Sequence, residues 1–343
     1  MALHSRGEGS SNGVTVSDMR VLVLGGTGLS GPRLVALLVK AGHEVTVCHR
    51  GVHEVGLPAG VEHLHDEAAG LTGETRDHLR EQRPDVVVDM FAMTGEHAMA
   101  LSDAFRAFAG RVVVPSSIDV YRAYGRLHRT EPGPPDPVPL TEDSPLRARP
   151  SIDGDAYEKR AVENIVMSDP ELPGTILRFP AIYGPRDRRL SRYVQRMADG
   201  RPYIFLEEAE ALWRFSRGYA DNIAQATFLA VTNDRAAGRI YNVAEPTAHT
   251  ERDWVQQIGR AANWHGQVLA LPSDHMPAHL LKNIDWRQHW VVDTTRIRQE
   301  LGYAETITPD EALRLTVQWE RSHPPDSRPS PTEYEAEDRA ACA

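Results

Sequence analysis

The residues that could do chemistry begin with three glycines. They stand at 25, 28 and 31 in Val21-Leu22-Val23-Leu24-Gly25-Gly26-Thr27-Gly28-Leu29-Ser30-Gly31, where an apolar run meets a turn and then a helical pattern near Pro32. In that setting Gly25 takes the tight turn, Gly28 lets the backbone approach a pyrophosphate, and Gly31 permits close packing of helix on sheet. The helix N-terminus then offers oriented N–H groups to the anion. An ordinary strand-to-helix turn is the plainer reading; the position after the first strand of an alternating chain favours a dinucleotide. The next apolar run ends Val47-Cys48-His49-Arg50-Gly51 and lacks the acidic residue that would hydrogen-bond the adenosine ribose of NAD. Arg50 suits a 2′-phosphate instead, so NADP is the expected cofactor with NAD admitted; otherwise Arg50 is a solvated surface cation.

Other reactive groups are sparser. His63-x-His65-Asp66 puts ligand types on one face of a strand, but no third ligand is evident and no metal is expected. Arg186, Arg188, Arg189 and Arg192 read either as a solvated helix face or as a clamp for a phosphate or carboxylate. The proline-rich stretch at residues 131–139 cannot be regular secondary structure and reads as an ordered loop, a lid or a spacer.

These groups need a scaffold. Short, mostly apolar runs at residues 20–24, 44–49, 61–65, 85–89, 111–115 and 175–178 suit parallel strands buried on both faces. Helical patterns lie between them, at residues 34–41 and 99–109 among others. Alternation of this kind predicts an α/β fold with a Rossmann-type doubly wound parallel sheet. Beyond Arg178 the alternation loosens into polar segments bearing Trp213, Trp254, Trp264, Trp286 and Trp290, which reads as a smaller C-terminal substrate-binding lobe. The expected organisation is a disordered leader at 1–18, a dinucleotide-binding domain at 19–180 completed by about 217–245, the lobe at 181–216 and 246–321, and a solvated, disordered tail at 322–343.

Composition narrows the partners. With 343 residues, 41% hydrophobic and 25% charged, the chain can bury a sizeable core. A net charge of -10 makes nonspecific binding to nucleic acid unlikely on electrostatic grounds. No apolar run approaches the ~20 residues that span a bilayer, and no secretory h-region is found. Cys48 and Cys342 are the two cysteines, which rules out a disulfide framework and favours a cytoplasmic setting.

Three motifs together resemble a known family. The Gly25-x-x-Gly28-x-x-Gly31 turn, Ser116-Ser117-Ile118-Asp119-Val120-Tyr121 after the fifth strand, and Arg178-x-x-x-x-Tyr183-Gly184-Pro185 after the sixth are similar to the extended short-chain dehydrogenase/reductases, the NAD-dependent epimerase/dehydratase family. The similarity covers roughly residues 19 to 320. It implies a Ser that orients a substrate hydroxyl, a Tyr that exchanges its proton, and a Lys that lowers the Tyr pKa and holds the nicotinamide ribose. Ser117 matches the Ser position. The resemblance sets the cofactor against Gly25, Gly28, Leu29, Gly31, Arg50, Lys159 and Pro180.

The Tyr and Lys depart from the family pattern, Tyr-x-x-x-Lys, which sets both side chains on one helical face. Here the string is Asp155-Ala156-Tyr157-Glu158-Lys159-Arg160-Ala161-Val162-Glu163, so Lys159-x-x-x-Glu163 fits and Asp155 falls at the Tyr place. On a regular helix residues 157 and 159 lie ~200° apart. Tyr157 therefore serves as acid/base only from a non-helical entry to the helix; otherwise it packs while Lys159 holds cofactor. Asp119 stands where sugar dehydratases of the family carry a general base, or else it caps or salt-bridges its loop. Two functions stay open. One is an NAD(P)-dependent oxidoreductase or epimerase acting on a sugar-like or other small hydroxyl/carbonyl substrate, with a homodimer admitted; the alternative is a redox-inactive cofactor-binding protein, regulatory or RNA-binding, of the same fold.

Overall fold

The apolar runs become strands because both of their faces are covered. The computed structural model describes residues 18–150, 154 and 157–342. Along the first half, β1 (Arg20–Leu24), α1 (Gly31–Lys40), β2 (Glu44–His49), β3 (Glu62–His65), α2 (Gly73–Glu81), β4 (Val86–Asp89), α3 (Gly95–Phe105), β5 (Arg111–Ser117), α4 (Arg122–Leu127), α5 (Lys159–Ser168) and β6 (Gly174–Phe179) follow one another. The second half carries β7 (Ala181–Tyr183), α6 (Ser191–Ala198), β8 (Tyr203–Glu207), α7 (Glu208–Leu212), β9 (Arg217–Tyr219), α8 (Ala220–Thr232), β10 (Arg239–Asn242), α9 (Glu251–Ala261), β11 (Gln267–Leu271), α10 (Thr295–Leu301), α11 (Pro309–Ser322) and α12 (Pro331–Ala341).

Seven parallel strands form one sheet in the order β10-β6-β5-β4-β1-β2-β3. The doubly wound α/β fold is therefore as expected from the alternation. Successive side chains point to opposite faces: Val21 and Val23 pack with Leu34, Val35 and Leu38 of α1 and Ile223 of α8, whereas Leu22 and Leu24 pack with Leu79, Leu101 and Val162 beneath the other layer. Helix α3 begins four residues before its apolar pattern because the Thr94 hydroxyl accepts from His97 N at 3.3 Å and caps a polar first turn. Chain order reverses at β1, which neighbours both β2 and β4, and a crevice opens at the carboxyl ends of these strands.

Two small parallel pairs, β7 with β9 and β8 with β11, lie outside the main sheet. Tyr183, Tyr193, Trp254, Val255, Leu313 and Val317 make a third core beside them. The proline-rich stretch is tied down: Gln288 Oε1 accepts from Asp136 N at 2.6 Å, and Arg122 Nε reaches both Asp136 oxygens at 3.1 Å.

The tail corrects an expectation. Instead of staying solvated and disordered, its residues 331–341 form α12, with Pro331 in the first turn and a reciprocal capping box between Ser330 and Glu333. Proline and acid counts suggested a solvated tail, yet proline starts helices well because the missing N–H is one that the helix leaves unused. Glu337, fully buried, accepts from Arg196 of α6 at 2.6 and 2.9 Å. Residues 1–17 of the expected leader lie outside the described residues, as does Asp155.

Candidate active site

The crevice between β1 and β4 is a cleft of about 500 Å³ whose walls include Gly25, Gly28, Leu29, Gly31, Arg50, Ser117, Tyr157, Lys159 and Pro180. The residues set against the cofactor, with Ser117 and Tyr157, thus meet the same space. Gly25 has φ +85°, a conformation that side chains disfavour, and its N–H donates to Cys48 O at 2.8 Å. A β-carbon on Gly28 would meet no protein atom within 4 Å, so protein packing does not require glycine there, and Gly28 faces the cleft. Gly31 differs from its expected role: a β-carbon there would collide with the Gly26 carbonyl, so it serves the closure of the turn itself rather than helix-on-sheet packing. Arg50 lies with Cζ 4.5 Å from the Phe91 ring centroid at the cleft, and no described carboxylate pairs with it.

Ser117 ends β5 and Lys159 opens α5. Tyr157 sits before the helix, so the ~200° separation of a regular helix does not apply. The entry is fixed by Glu158, whose backbone N–H donates to Met93 O at 2.8 Å and whose carboxylate caps α5 by accepting from Arg160 N at 3.1 Å. Buried Arg147 grips both Glu158 oxygens at 3.0 Å and donates Nε to Asp119 O at 3.0 Å. Ser117 and the Asp119 carboxylate are both near enough to the Tyr157 phenol to act on it. Burial, and then the Asp119 charge, push the phenol above the ordinary tyrosine value.

Lys159 is 5% exposed, and burial brings its ammonium down to about 8 against the pull of Asp89, Asp119 and Glu163. Its Nζ donates to Ala92 O at 2.5 Å and Pro115 O at 3.1 Å. An ammonium has three donors, so one N–H is left for a ligand. Nζ is 5.7 Å from the Tyr157 ring centroid.

Sequence reasoning missed the network that holds α5 in place. Glu163, one turn beyond Lys159, accepts from Ser116 Oγ at 2.6 Å and from Arg178 Nε and Nη2 at 3.0 and 2.7 Å. Arg178 also donates Nη1 to the Tyr121 hydroxyl at 2.9 Å, which in turn donates to Asn242 at 2.6 Å. The signal was in view as Lys159-x-x-x-Glu163 and the Arg178 motif. Nothing local in the string said that the two halves pair.

Asp119 is not the loop's cap; the Ser117 hydroxyl is, accepting from Asp119 N at 3.3 Å. The Asp119 carboxyl faces Tyr157 with Oδ1 unpartnered among the described residues, and burial raises its pKa. The arginine segment is a largely solvated surface rather than a convergent clamp, with Arg186, Arg188 and Arg189 exposed. Arg188 pairs with Glu320, Arg189 with Asp187 and Arg192 with Glu210, and of these Arg189 alone reaches the cleft wall. Nor does the His63/His65 pair stand alone, for His49 and Glu54 adjoin it, while Asp66 turns away to accept from Gly70 N at 2.7 Å.

A nicotinamide dinucleotide fits these donors. The bare face of Gly28, the spare N–H of Lys159 and the unpaired Arg50 lie along one cleft. A doubly wound sheet with a Ser, a Tyr and a Lys on one such cleft defines a protein of the extended short-chain dehydrogenase/reductase class. More narrowly, the chain belongs to the NAD dependent epimerase/dehydratase family, whose model matches residues 21–244. Among relatives, 2'-dehydrokanamycin reductase of Streptomyces kanamyceticus is 27% identical over 304 residues, 85% of this chain and 79% of that protein. UDP-N-acetyl-alpha-D-glucosaminuronate decarboxylase of Bacillus cytotoxicus is 23% identical over 88% of this chain and 98% of its own length. An epimerase from Methanothermobacter thermautotrophicus shares the fold with a TM-score of 0.69 at 18% identity, covering 90% of this chain and 93% of that one. A Bordetella bronchiseptica enzyme in complex with NAD does so at 0.68 and 18%, over 90% and 96%. No helix among the described residues is long and apolar enough to cross a membrane.

Proposed function

We propose that the chain is an NADP-dependent oxidoreductase that reduces a ketone on a small, sugar-like substrate, with Tyr157 giving the proton. One observation carries this reading: Ser117, Tyr157 and Lys159 line the glycine-turn cleft together, with Lys159 Nζ 5.7 Å from the centre of the Tyr157 ring. When bound, a nicotinamide ring supplies the two-electron exchange of a carbonyl/alcohol pair. The chain's residues bind and move the proton. The turn from Gly25 to Gly31 seats the pyrophosphate, the spare N–H of Lys159 holds the ribose, and Arg50 takes the 2′-phosphate.

Ser117 and Tyr157 converge on the substrate oxygen. Burial and Asp119 hold the phenol above its ordinary value rather than below it, so the proton is in place at neutral pH but on a weaker acid than the family pattern implies, and its release to a ketone oxygen depends on the charge that develops there. The Lys159 ammonium, 5.7 Å from the ring, favours the phenolate left behind. A relative named as 2'-dehydrokanamycin reductase supports the reducing direction.

The test is loss of NADPH absorbance in the presence of a panel of keto-sugars. Tyr157→Phe removes the proton and little volume, so turnover should fall by ~10²- to 10⁴-fold with cofactor affinity kept. Full activity in Tyr157→Phe would hand the proton to another group, Asp119 first. Cofactor binding without turnover on any carbonyl would favour the redox-inactive alternative.

A further inference from the structure

A second constellation sits on the outer edge of the sheet. In the parallel register His49 of β2 pairs with His65 of β3, and Val47 with His63. Residues two apart share a face of a strand, so three imidazoles gather on one side of this edge pair. The His49 and His63 ring centroids are 4.6 Å apart, and His65 lies 4.8 Å from each. Glu54, from the segment after β2, brings Oε1 to 2.9 Å from His65 Nε2. One ligand atom from each of the four residues lies within 4.8 Å of the other three.

Three imidazoles and one carboxylate converging in this way are a donor set for borderline transition ions rather than for magnesium or calcium, which take oxygen. We propose that His49, Glu54, His63 and His65 bind one divalent transition-metal ion of the zinc type.

His49 makes occupancy conditional. Its Nδ1 accepts from Gly51 N at 3.0 Å. In a neutral ring that leaves the proton on Nε2, the nitrogen facing His63 Nε2. To ligate through Nε2, the ring moves its proton to Nδ1, and the Gly51 N–H then opposes a donor rather than an acceptor. That bond breaks, and it anchors the stretch whose Arg50 and His53 line the dinucleotide cleft. Ion and dinucleotide are therefore linked, each changing the affinity of the other by the same factor.

The experiment uses the full chain without an affinity tag, stripped with a chelator and titrated with Co²⁺. Calorimetry should report one ion per chain, and visible absorption should report nitrogen/oxygen ligation in low coordination. Both signals should vanish in His63→Asn/His65→Asn and persist in His275→Ala, an exposed histidine outside the cluster. Should the double variant lose its circular dichroism, Glu54→Gln is the second variant, expected to weaken Co²⁺ binding at an exposed position. No Co²⁺ binding, or binding that survives loss of these ligands, would overturn the site. NADP affinity that is equal with and without Co²⁺ would overturn the link through Gly51. The ion titration needs no cofactor, so its outcome is separate from that of the oxidoreductase reading.

Discussion

On the proposed reading, single charges set the selectivity and pH response of the cleft. Arg50 offers a bidentate guanidinium that NAD, without a 2′-phosphate, cannot use. Arg50→Ala should weaken NADP by ~10- to 100-fold and NAD far less, the value of a charged hydrogen bond; equal losses in a fluorescence titration would contradict the preference. Lys159 carries the pH dependence. Burial lowers its pKa to about 8, so it is charged below that value and loses its proton as pH rises through it. Cofactor affinity should accordingly fall as pH passes about 8. Lys159→Arg keeps its charge throughout, so the fall should be absent from its affinity-versus-pH curve.

Among the elements, the glycine turn and the entry to α5 matter most. Gly28→Val adds a side chain that meets no protein atom. Its melting temperature should stay close to that of the parent, while calorimetry with NADP should show binding abolished, because the added methyls fill the pyrophosphate seat. Unchanged NADP affinity would remove the dinucleotide from this turn. The α5 entry works differently, since Tyr157 lies outside the helix and its place is set by Glu158, Arg147 and Met93 O. A helix supplies the regular four-residue spacing between partners; a capped, non-helical entry supplies a shorter one.

At the scale of the whole molecule, the C-terminal helix is held to α6 by a buried charge. Glu337 takes three donors on Oε1, two from Arg196 and one from His279 Nε2 at 3.1 Å. Glu337→Ala leaves the Arg196 guanidinium without its carboxylate, and breaking such a pair costs ~3–5 kcal/mol. A urea melt should register that loss, with NADP affinity at the distant cleft unchanged; an unaltered melt would mean that α12 contributes nothing to global stability.

The sequence by itself determined the sheet and the cofactor turn, because both are written in local patterns. Buried parallel strands need continuous apolar runs, and each of the six expected runs lies within two residues of an observed strand at both ends. The turn needs glycine at fixed steps: Gly25 has φ +85°, and a β-carbon on Gly28 would meet no protein atom within 4 Å. What only the tertiary structure decided involves partners far apart in the chain. Whether Tyr157 could approach Ser117 depended on Arg147 and Met93 fixing Glu158. Whether Arg178 held α5 depended on Glu163 crossing to β6. Whether two histidines of β3 had company depended on the register that brought His49 alongside. Composition misjudged the tail for the same reason: its helix has a capping box written locally, but the buried partner of Glu337 lies on α6, 141 residues away. Spacing along a chain fixes which residues share a turn or a face, and only packing fixes which faces meet.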